Sequence, residues 1–219
     1  METVKFVEMK DGTKDDYDWM LLFKNSEPNY NTRLADRVLD MLKLMQGPTR
    51  GYQVDRYTHS LQTATLAYRD GADEEMVVCA LLHDIGDIMG PAHHADMSAA
   101  ILKPYISADN HWMVKQHSIF QGYFFWQHRG RDQHEREKFR GHPGFEQCAY
   151  FCEKYDQPAV SRLLDTMHIT DFEPIVRRLF ARKPFDPAHD PSRESARLKA
   201  AQSAAPGITA RLLEQARLL

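Results

Sequence analysis

Residues 81–87 have the sequence LLHDIGD and end an almost wholly apolar run that begins at Met76. A run of this kind predicts a helix in the centre of the protein. Asp84 would carry a charge at the end of that helix, and a buried charge needs a partner that an apolar core does not supply. Its neighbour His83 completes a His-Asp doublet, and Gly86 favours the end of the helix at this point. The doublet therefore predicts a metal site.

Apolar residues at helical spacing occur on both sides of this run and predict further helices. Together with the central one, the predicted helices cover residues 31–45, 57–70, 73–85, 94–102, 109–128, 144–155 and 172–180. Gly47 and Gly71 follow the first two helices as stop signals. Strand patterns are nearly absent from the sequence. An all-α fold is therefore expected.

The length of 219 residues and the hydrophobic content of 42% suit one globular domain with extensions. We expect this domain to span residues 31–184. Residues 1–30 are mainly polar, with one short aromatic cluster, and are interpreted as an N-terminal arm. Residues 185–219 have only a weak helical pattern and are interpreted as a C-terminal extension.

Composition and charge exclude several classes of partner. The chain has 28 basic and 31 acidic residues, so no overall basic field favours nucleic acid or anionic lipid. No apolar run approaches the roughly 18 residues of a membrane span. Three cysteines do not resemble a disulfide framework, which favours a reducing, cytoplasmic location. The expected partner is a small-molecule substrate, and a homodimer is compatible with the sequence.

More histidines and a further aspartate accompany the doublet on other predicted helices. The candidate metal ligands are His59, His83, Asp84, His94, His117 and Asp156. Four imidazoles and two carboxylates suffice for two first-row metal ions, with positions left for water and substrate. Neighbouring helical residues point about 100° apart, so the doublet needs a helix end or a bridging Asp84 to address the metals. A single helical histidine is more often an ordinary hydrogen-bonded residue, and His93 competes with His94 for its place.

These residues give the chain a resemblance to the HD-domain superfamily across about residues 31–183. The shared pattern is a histidine, the His-Asp doublet and a distant aspartate on a core of five helices. The resemblance implies an HD-type helical bundle with peripheral N- and C-terminal segments. Two chemistries occur on this scaffold: metal-dependent phosphohydrolases, and di-iron oxygenases such as myo-inositol oxygenase and the hydroxy-phosphonate-cleaving oxygenases.

Three short segments resemble the oxygenase branch. Residues 59–64, HSLQTA, are similar to its H-x-x-Q-T-A segment, residues 114–120, VKQHSIF, to a ligand helix of inositol oxygenase, and residues 153–156, EKYD, to its last ligand segment. The resemblance implies that the six candidate ligands hold an Fe(II)/Fe(III) pair bridged by Asp84. It also implies an O2-dependent oxygenase that cleaves a C–P or C–C bond of a small hydroxylated substrate. The alternative is a phosphohydrolase with Mn or Mg, acting on a phosphate ester or nucleotide.

Asp87 departs from the resemblance, because many relatives have Lys at that place. A carboxylate there would repel a phosphate monoester and favour a hydroxyl or ammonium group. Asp87 is therefore predicted to act beside Asp84 in catalysis and to contact the substrate. The other predicted substrate contacts are Gln62, Gln121, Tyr52, Arg140 and Lys154. Gln121 stands where phosphonate oxygenases have a phosphonate-binding Lys, so Arg140 or Lys154 would replace that charge.

Overall fold

The computed structural model describes residues 3–26, 33–186 and 188, with side chains for all of these except residues 23–26. Eight α-helices lie in these ranges: α1 (Lys14–Ser26), α2 (Leu34–Lys43), α3 (Arg56–Arg69), α4 (Glu74–Leu82), α5 (His94–Leu102), α6 (Ala108–Gln121), α7 (Phe145–Phe151) and α8 (Ile169–Phe180). No strand occurs among the described residues. The predicted all-α helical bundle is confirmed.

Helix α4 lies at the centre of the bundle, as its apolar sequence predicts. It packs against α3, α6 and α8, and residues 77–82 are all buried. Helix α5 packs on α6, α6 packs on α7, and α8 also covers α2. The core is filled by large apolar side chains, which include Leu42, Leu81, Phe120, Phe151 and Phe172.

Three predicted helices end earlier than their sequence patterns suggest. The helix predicted over residues 109–128 stops at Gln121 and continues as the 3-10 turns Gly122–Phe124 and Trp126–Arg129. The Trp126 indole lies against Gly122 at this break, where a β-carbon would overlap the ring. Helix α4 gives way to the 3-10 turn Ile85–Ile88, and α7 continues as the π-helix Cys152–Asp156.

The N-terminal arm contains a helix that the sequence patterns did not predict. Helix α1 begins after Thr13, whose backbone N–H and hydroxyl donate to Asp16 at 3.0 and 2.7 Å. The Asp16 backbone N–H lies 3.3 Å from the Thr13 hydroxyl and completes a reciprocal cap. The Thr-x-x-Asp spacing was the signal for this helix start.

The end of the described chain is tied to the bundle by the Phe185 N–H, which donates to the Pro104 carbonyl at 2.8 Å. The rest of the predicted extension, residues 187 and 189–219, lies outside the described residues. The division into residues 1–30, 31–184 and 185–219 stays a prediction. None of the described helices is long and apolar enough to cross a membrane.

Glu75 on α4 is a buried carboxylate that joins three parts of the bundle. Its Oε1 accepts hydrogen bonds from the Ser107 N–H at 2.7 Å and the Asn110 amide at 2.9 Å, and its Oε2 pairs with Arg182. Burial raises the pKa of Glu75, but these hydrogen bonds outweigh burial and lower the pKa below its ordinary value. Arg182 also donates to the Tyr105 carbonyl at 2.8 Å. Glu75 thereby anchors the start of α6 and the segment after α8 to the central helix.

Replacing Glu75 by Ala removes the acceptor of three donors and leaves Arg182 without this partner. We expect a loss of about 2–4 kcal/mol in the free energy of unfolding, measured by urea denaturation. Glu74→Ala is the matched control, because Glu74 pairs with Arg178 in solvent and such pairs contribute little. Equal effects of the two substitutions would show that Glu75 is not an anchor.

Candidate metal centre

Four histidines in the middle of the bundle are oriented in the same way. Each directs Nδ1 at a backbone carbonyl oxygen, and because a carbonyl only accepts, Nδ1 carries the proton. The pairs are His59 with Ala159 at 2.8 Å, His83 with Ala80 at 2.8 Å, His94 with Pro91 at 3.1 Å, and His117 with Val114 at 2.6 Å. In the neutral imidazole the Nε2 lone pair is then free to bind a metal ion.

The Nε2 atoms converge in two pairs. His59 and His83 bring their Nε2 atoms to 3.2 Å, and His94 and His117 bring theirs to 3.3 Å. Two neutral rings that both donate through Nδ1 present two lone pairs to each other, so no hydrogen bond can form between them. A shared cation at each pair removes this repulsion.

Asp84 lies between the two pairs with one carboxylate oxygen facing each. Its Oδ1 is 3.1 Å from His94 Nε2 and 3.3 Å from His117 Nε2, and its Oδ2 is 3.7 Å from His59 Nε2 and 3.6 Å from His83 Nε2. This is the arrangement of a bridging carboxylate.

Asp156 completes the first pair. Its Oδ1 is 3.2 Å from His59 Nε2 and 3.6 Å from His83 Nε2, while its buried Oδ2 has no hydrogen-bond partner. An unpartnered buried carboxylate oxygen is costly unless a cation compensates it. The free oxygen is therefore a second indication of a bound ion.

The donor set fits two first-row metal ions. Nitrogen and oxygen ligands about 2.1 Å from one ion lie about 3.0–3.4 Å from each other, depending on the coordination geometry. Two groups of possible ligand atoms, one from His59, His83 and Asp156 and one from His83, Asp84 and His117, each lie within 4.8 Å of one another. His94 adds a further donor to the second group, although its side chain is 19% exposed whereas the other five are nearly fully buried.

The pKa values of the buried histidines reflect the two carboxylates beside them. Burial lowers the pKa of His83, but the carboxylates of Asp84 and Asp156 outweigh burial and raise it to about 9. His117 lies equally deep, and burial is the main reason that its pKa is lowered. The carboxylates thus favour positive charge at His83 and also at His94, whose pKa is raised by Asp84 against burial, whereas burial opposes positive charge at His117. Metal ions would supply positive charge to the carboxylates without protonating the rings.

Local irregularities of the helices bring the ligands together. Helix α4 ends at Leu82, and Asp84 has φ −104° and ψ 2°, so the doublet is not on regular helix. Asp156 ends a π-helix, whose wider turn changes the direction of its side chain. The neighbouring Tyr155 donates to Asp70 on the outside of the bundle at 2.6 Å and fixes this segment.

Gly86 allows the chain after Asp84 to approach α5 closely. A β-carbon at this position would overlap the backbone carbonyl of His94 and lie 2.7 Å from Met97 Cβ. The Gly86 N–H donates to the Ser98 hydroxyl at 2.9 Å, also on α5. This contact sets the distance between the ligands His94 and Asp84.

A cavity of about 500 Å³ opens onto the predicted ligands. Five of them, all except His83, reach its wall. The remaining wall is made of three arginines and several aromatic and polar side chains, which include Arg50, Arg56, Arg129, Tyr52, Phe124, Phe125, Ser118 and Gln121. This volume suits a small-molecule substrate.

Two of the six predicted substrate contacts, Tyr52 and Gln121, line this cavity. Gln62 does not, because its amide bonds the backbone of Ser161, donating at 2.6 Å and accepting at 3.3 Å. Gln62 instead ties the segment after Asp156 to α3, next to the ligand His59.

The other three predicted contacts also lie outside the cavity wall. Arg140 is bonded to Glu137 and Glu146, and Lys154 is exposed and paired with Glu153. Asp87 is 8% exposed, and its Oδ2 accepts a hydrogen bond from Arg50 at 3.1 Å. Asp87 is therefore paired with an arginine and is not among the residues that line the cavity, so its predicted roles in catalysis and substrate contact stay predictions.

Sequence reasoning missed the arginines of the cavity. Arg56 precedes His59 by three residues and so shares its helix face, which was a usable signal. Its Nη1 donates to Asp84 Oδ2 at 2.7 Å. Arg50 and Arg129 belong to no motif, and only the fold brings them to the site.

Residues 56–143 match the family model described as HD domain. This match supports the HD-domain superfamily. Five of the six candidate ligands lie in the matched segment, and Asp156 lies beyond it. HD domains generally belong to metal-dependent enzymes, and the His and Asp groups described above are candidate sites for those metals. No curated protein matches the chain.

The position of Asp84 between the two histidine pairs predicts how metal content responds to substitution. We expect Asp84→Ala to lose both ions, because each pair of histidines loses its shared carboxylate. Asp156→Ala should lose one of about two ions per chain, since only the His59 and His83 pair depends on it. Metal content is measured by mass spectrometry after anaerobic loading and desalting. Asp165→Ala, at an exposed carboxylate paired with Arg69, is the control. If Asp84→Ala retained two ions, Asp84 would not be a bridging ligand.

Gly86→Ala should push α5 away from the chain that carries Asp84. We expect a loss of about 1–3 kcal/mol in the free energy of unfolding, together with weaker binding of the ion at His94 and His117. Gly47→Ala is the control, because a β-carbon at Gly47 has no neighbour within 4 Å. Unchanged stability and metal content in Gly86→Ala would contradict the close packing described here.

Proposed function

We propose that the protein is a di-iron, O2-dependent oxygenase that cleaves a C–P or C–C bond of a small hydroxylated substrate. The observation that carries this proposal is the donor set of four Nε2 atoms and two carboxylates, with Asp84 shared between two metal positions. Nitrogen-rich sites with carboxylate ligands suit iron, whereas sites of oxygen ligands alone suit Mg. Bound iron would supply the one-electron chemistry that O2 needs.

The protein residues have separable tasks in this reaction. The carbonyl-bonded Nδ1 atoms keep the imidazoles in one tautomer and orientation, so that ligand geometry is maintained when substrate binds. His94 and Asp84 face the cavity, where the substrate hydroxyl would approach the metals. Phe124 and Phe125 give the wall an apolar part that limits water near a reactive centre.

The cavity wall supports oxidation over hydrolysis because it offers few proton donors. Hydrolysis of a phosphate ester is aided by a group that protonates the leaving oxygen. Among the described residues, the wall has no Lys, Glu or histidine outside the ligand set. Asp55 caps α3 by accepting the Thr58 N–H at 2.8 Å, and Tyr52 is 56% exposed. Removal of a hydrogen atom from a carbon needs no such acid.

A phosphohydrolase with Mn or Mg remains the second candidate, and one observation favours it. Arg50, Arg56 and Arg129 make the wall suitable for a phosphate group. Asp87 would repel a phosphate only if its charge faced the cavity, and that residue is paired with Arg50 and does not line the cavity wall. In this reaction the metals would lower the pKa of a bound water.

Oxygen uptake discriminates between the two candidates. Protein purified without air should contain iron and, after partial oxidation, show a mixed-valent EPR signal that shifts with one member of a panel of hydroxylated phosphonates and polyols. The same compound should stimulate O2 consumption, and Asp84→Ala should abolish it. The Arg140→Ala variant, altered outside the cavity, should retain the wild-type rate. Hydrolysis of phosphate esters by iron-free protein with Mn or Mg, without O2 uptake, would overturn the proposal.

A further inference from the structure

Three arginines line the cavity. Arg50, Arg56 and Arg129 reach it from three different segments of the chain. Apart from the ligands Asp84 and Asp156, Asp55 is the only carboxylate among its described lining residues, and it is occupied as the cap of α3. Metal ions would add further positive charge at the base of the cavity. The wall therefore attracts an anionic group.

Arg129 is available to bind such a group. It ends the 3-10 turn Trp126–Arg129, and Gly130 follows with φ +69°. Among the described residues Arg129 has no ion pair. A guanidinium without a carboxylate partner offers a planar set of donors that matches an oxyanion.

Arg50, by contrast, is held by Asp87. Its backbone has φ +51°, which a non-glycine residue adopts at a cost, and its side chain is 58% exposed. Asp87 accepts from Arg50 Nη1 at 3.1 Å and lies 4.0 Å from Arg56 Nε. Its own backbone is fixed, because the Asp87 N–H donates to the Asp84 carbonyl at 2.8 Å. Asp87 thus holds Arg50 at the cavity wall, whereas Arg56 is held mainly by Asp84, to which its Nη1 donates at 2.7 Å.

We propose that Asp87 is a positioning residue that orders Arg50, and that Arg50 together with Arg56 and Arg129 binds a compact oxyanion on the substrate. The oxyanion is a phosphonate, phosphate or carboxylate group. This assignment rests on the proposed function only in treating the oxyanion as part of the oxidised substrate. Binding itself requires the fold and the metals but no O2 chemistry.

If Asp87 orders Arg50, neutralising Asp87 should weaken anion binding, whereas neutralising a simple negative charge would strengthen it. A carboxylate that only repels anions would weaken their binding, so its neutralisation would strengthen binding. A carboxylate that orders Arg50 strengthens anion binding, because the Arg50 side chain then loses less conformational freedom when the anion binds. The direction of change in Asp87→Asn therefore decides between the two roles.

The test is calorimetric titration of the metal-loaded full chain with methylphosphonate, without O2, with glycerol as the uncharged comparison. Arg50→Gln and Arg129→Gln should each weaken methylphosphonate binding about tenfold, as expected for the loss of one charge-assisted hydrogen bond. Asp87→Asn should weaken it by a similar factor, and Asp87→Glu should recover part of the loss. Asp40→Asn, which also removes one negative charge but from an exposed pair with Lys43, should bind as the wild type does.

Metal content is measured for each variant, so that a lost metal is not mistaken for a lost oxyanion contact. Asp87→Asn in an Arg50→Gln background should cause little further loss, because the two residues act through each other. Tighter or unchanged binding in Asp87→Asn, or unchanged binding in Arg129→Gln, would overturn the proposal. Arginine-dependent binding of methylphosphonate, with no O2 uptake stimulated by any hydroxylated phosphonate or polyol of the panel, would keep this oxyanion site and remove the oxygenase function.

Discussion

The structure depends on one buried carboxylate, Asp84, which has an oxygen directed at each of two histidine pairs. A charge at this depth is unfavourable unless cations surround it. Four imidazoles present their Nε2 lone pairs at the same place, and each is held by a backbone carbonyl behind it. Arg56 satisfies part of this carboxylate by donating to its Oδ2 at 2.7 Å, and two metal ions would satisfy the lone pairs and the other carboxylate oxygen.

The helices are interrupted where this constraint requires it. Regular helix would point His83 and Asp84 about 100° apart, but α4 ends at Leu82 immediately before them. Asp156 reaches the site from a π-helix that follows α7, and Gly86 lets α5 approach with His94. Ligand geometry is thus obtained by local departures from helical geometry, and the surrounding apolar core keeps them in place.

The fold and the candidate ligands could be predicted from the sequence, because helical spacing indicates the helices and the His-Asp doublet indicates the metal site. Helical spacing predicted α5 at its observed bounds and placed α4 at the centre. The doublet and its separated histidines identified residues that the fold brings together. The cavity wall was not accessible in this way, since Arg50 and Arg129 come from a loop and a 3-10 turn without a motif. Asp87 was assigned to the substrate because its spacing from Asp84 was visible, whereas its partner Arg50, 37 residues away, was not.

The central claim is that Asp84 bridges two metal ions, and anomalous diffraction tests it most directly. Crystals of protein purified without air would be measured on both sides of the iron absorption edge. The account predicts two iron peaks about 3.5–4 Å apart, one beside His59, His83 and Asp156 and one beside His94 and His117, with Asp84 between them. A single peak, or Asp84 paired only with Arg56 and touching neither ion, would contradict it.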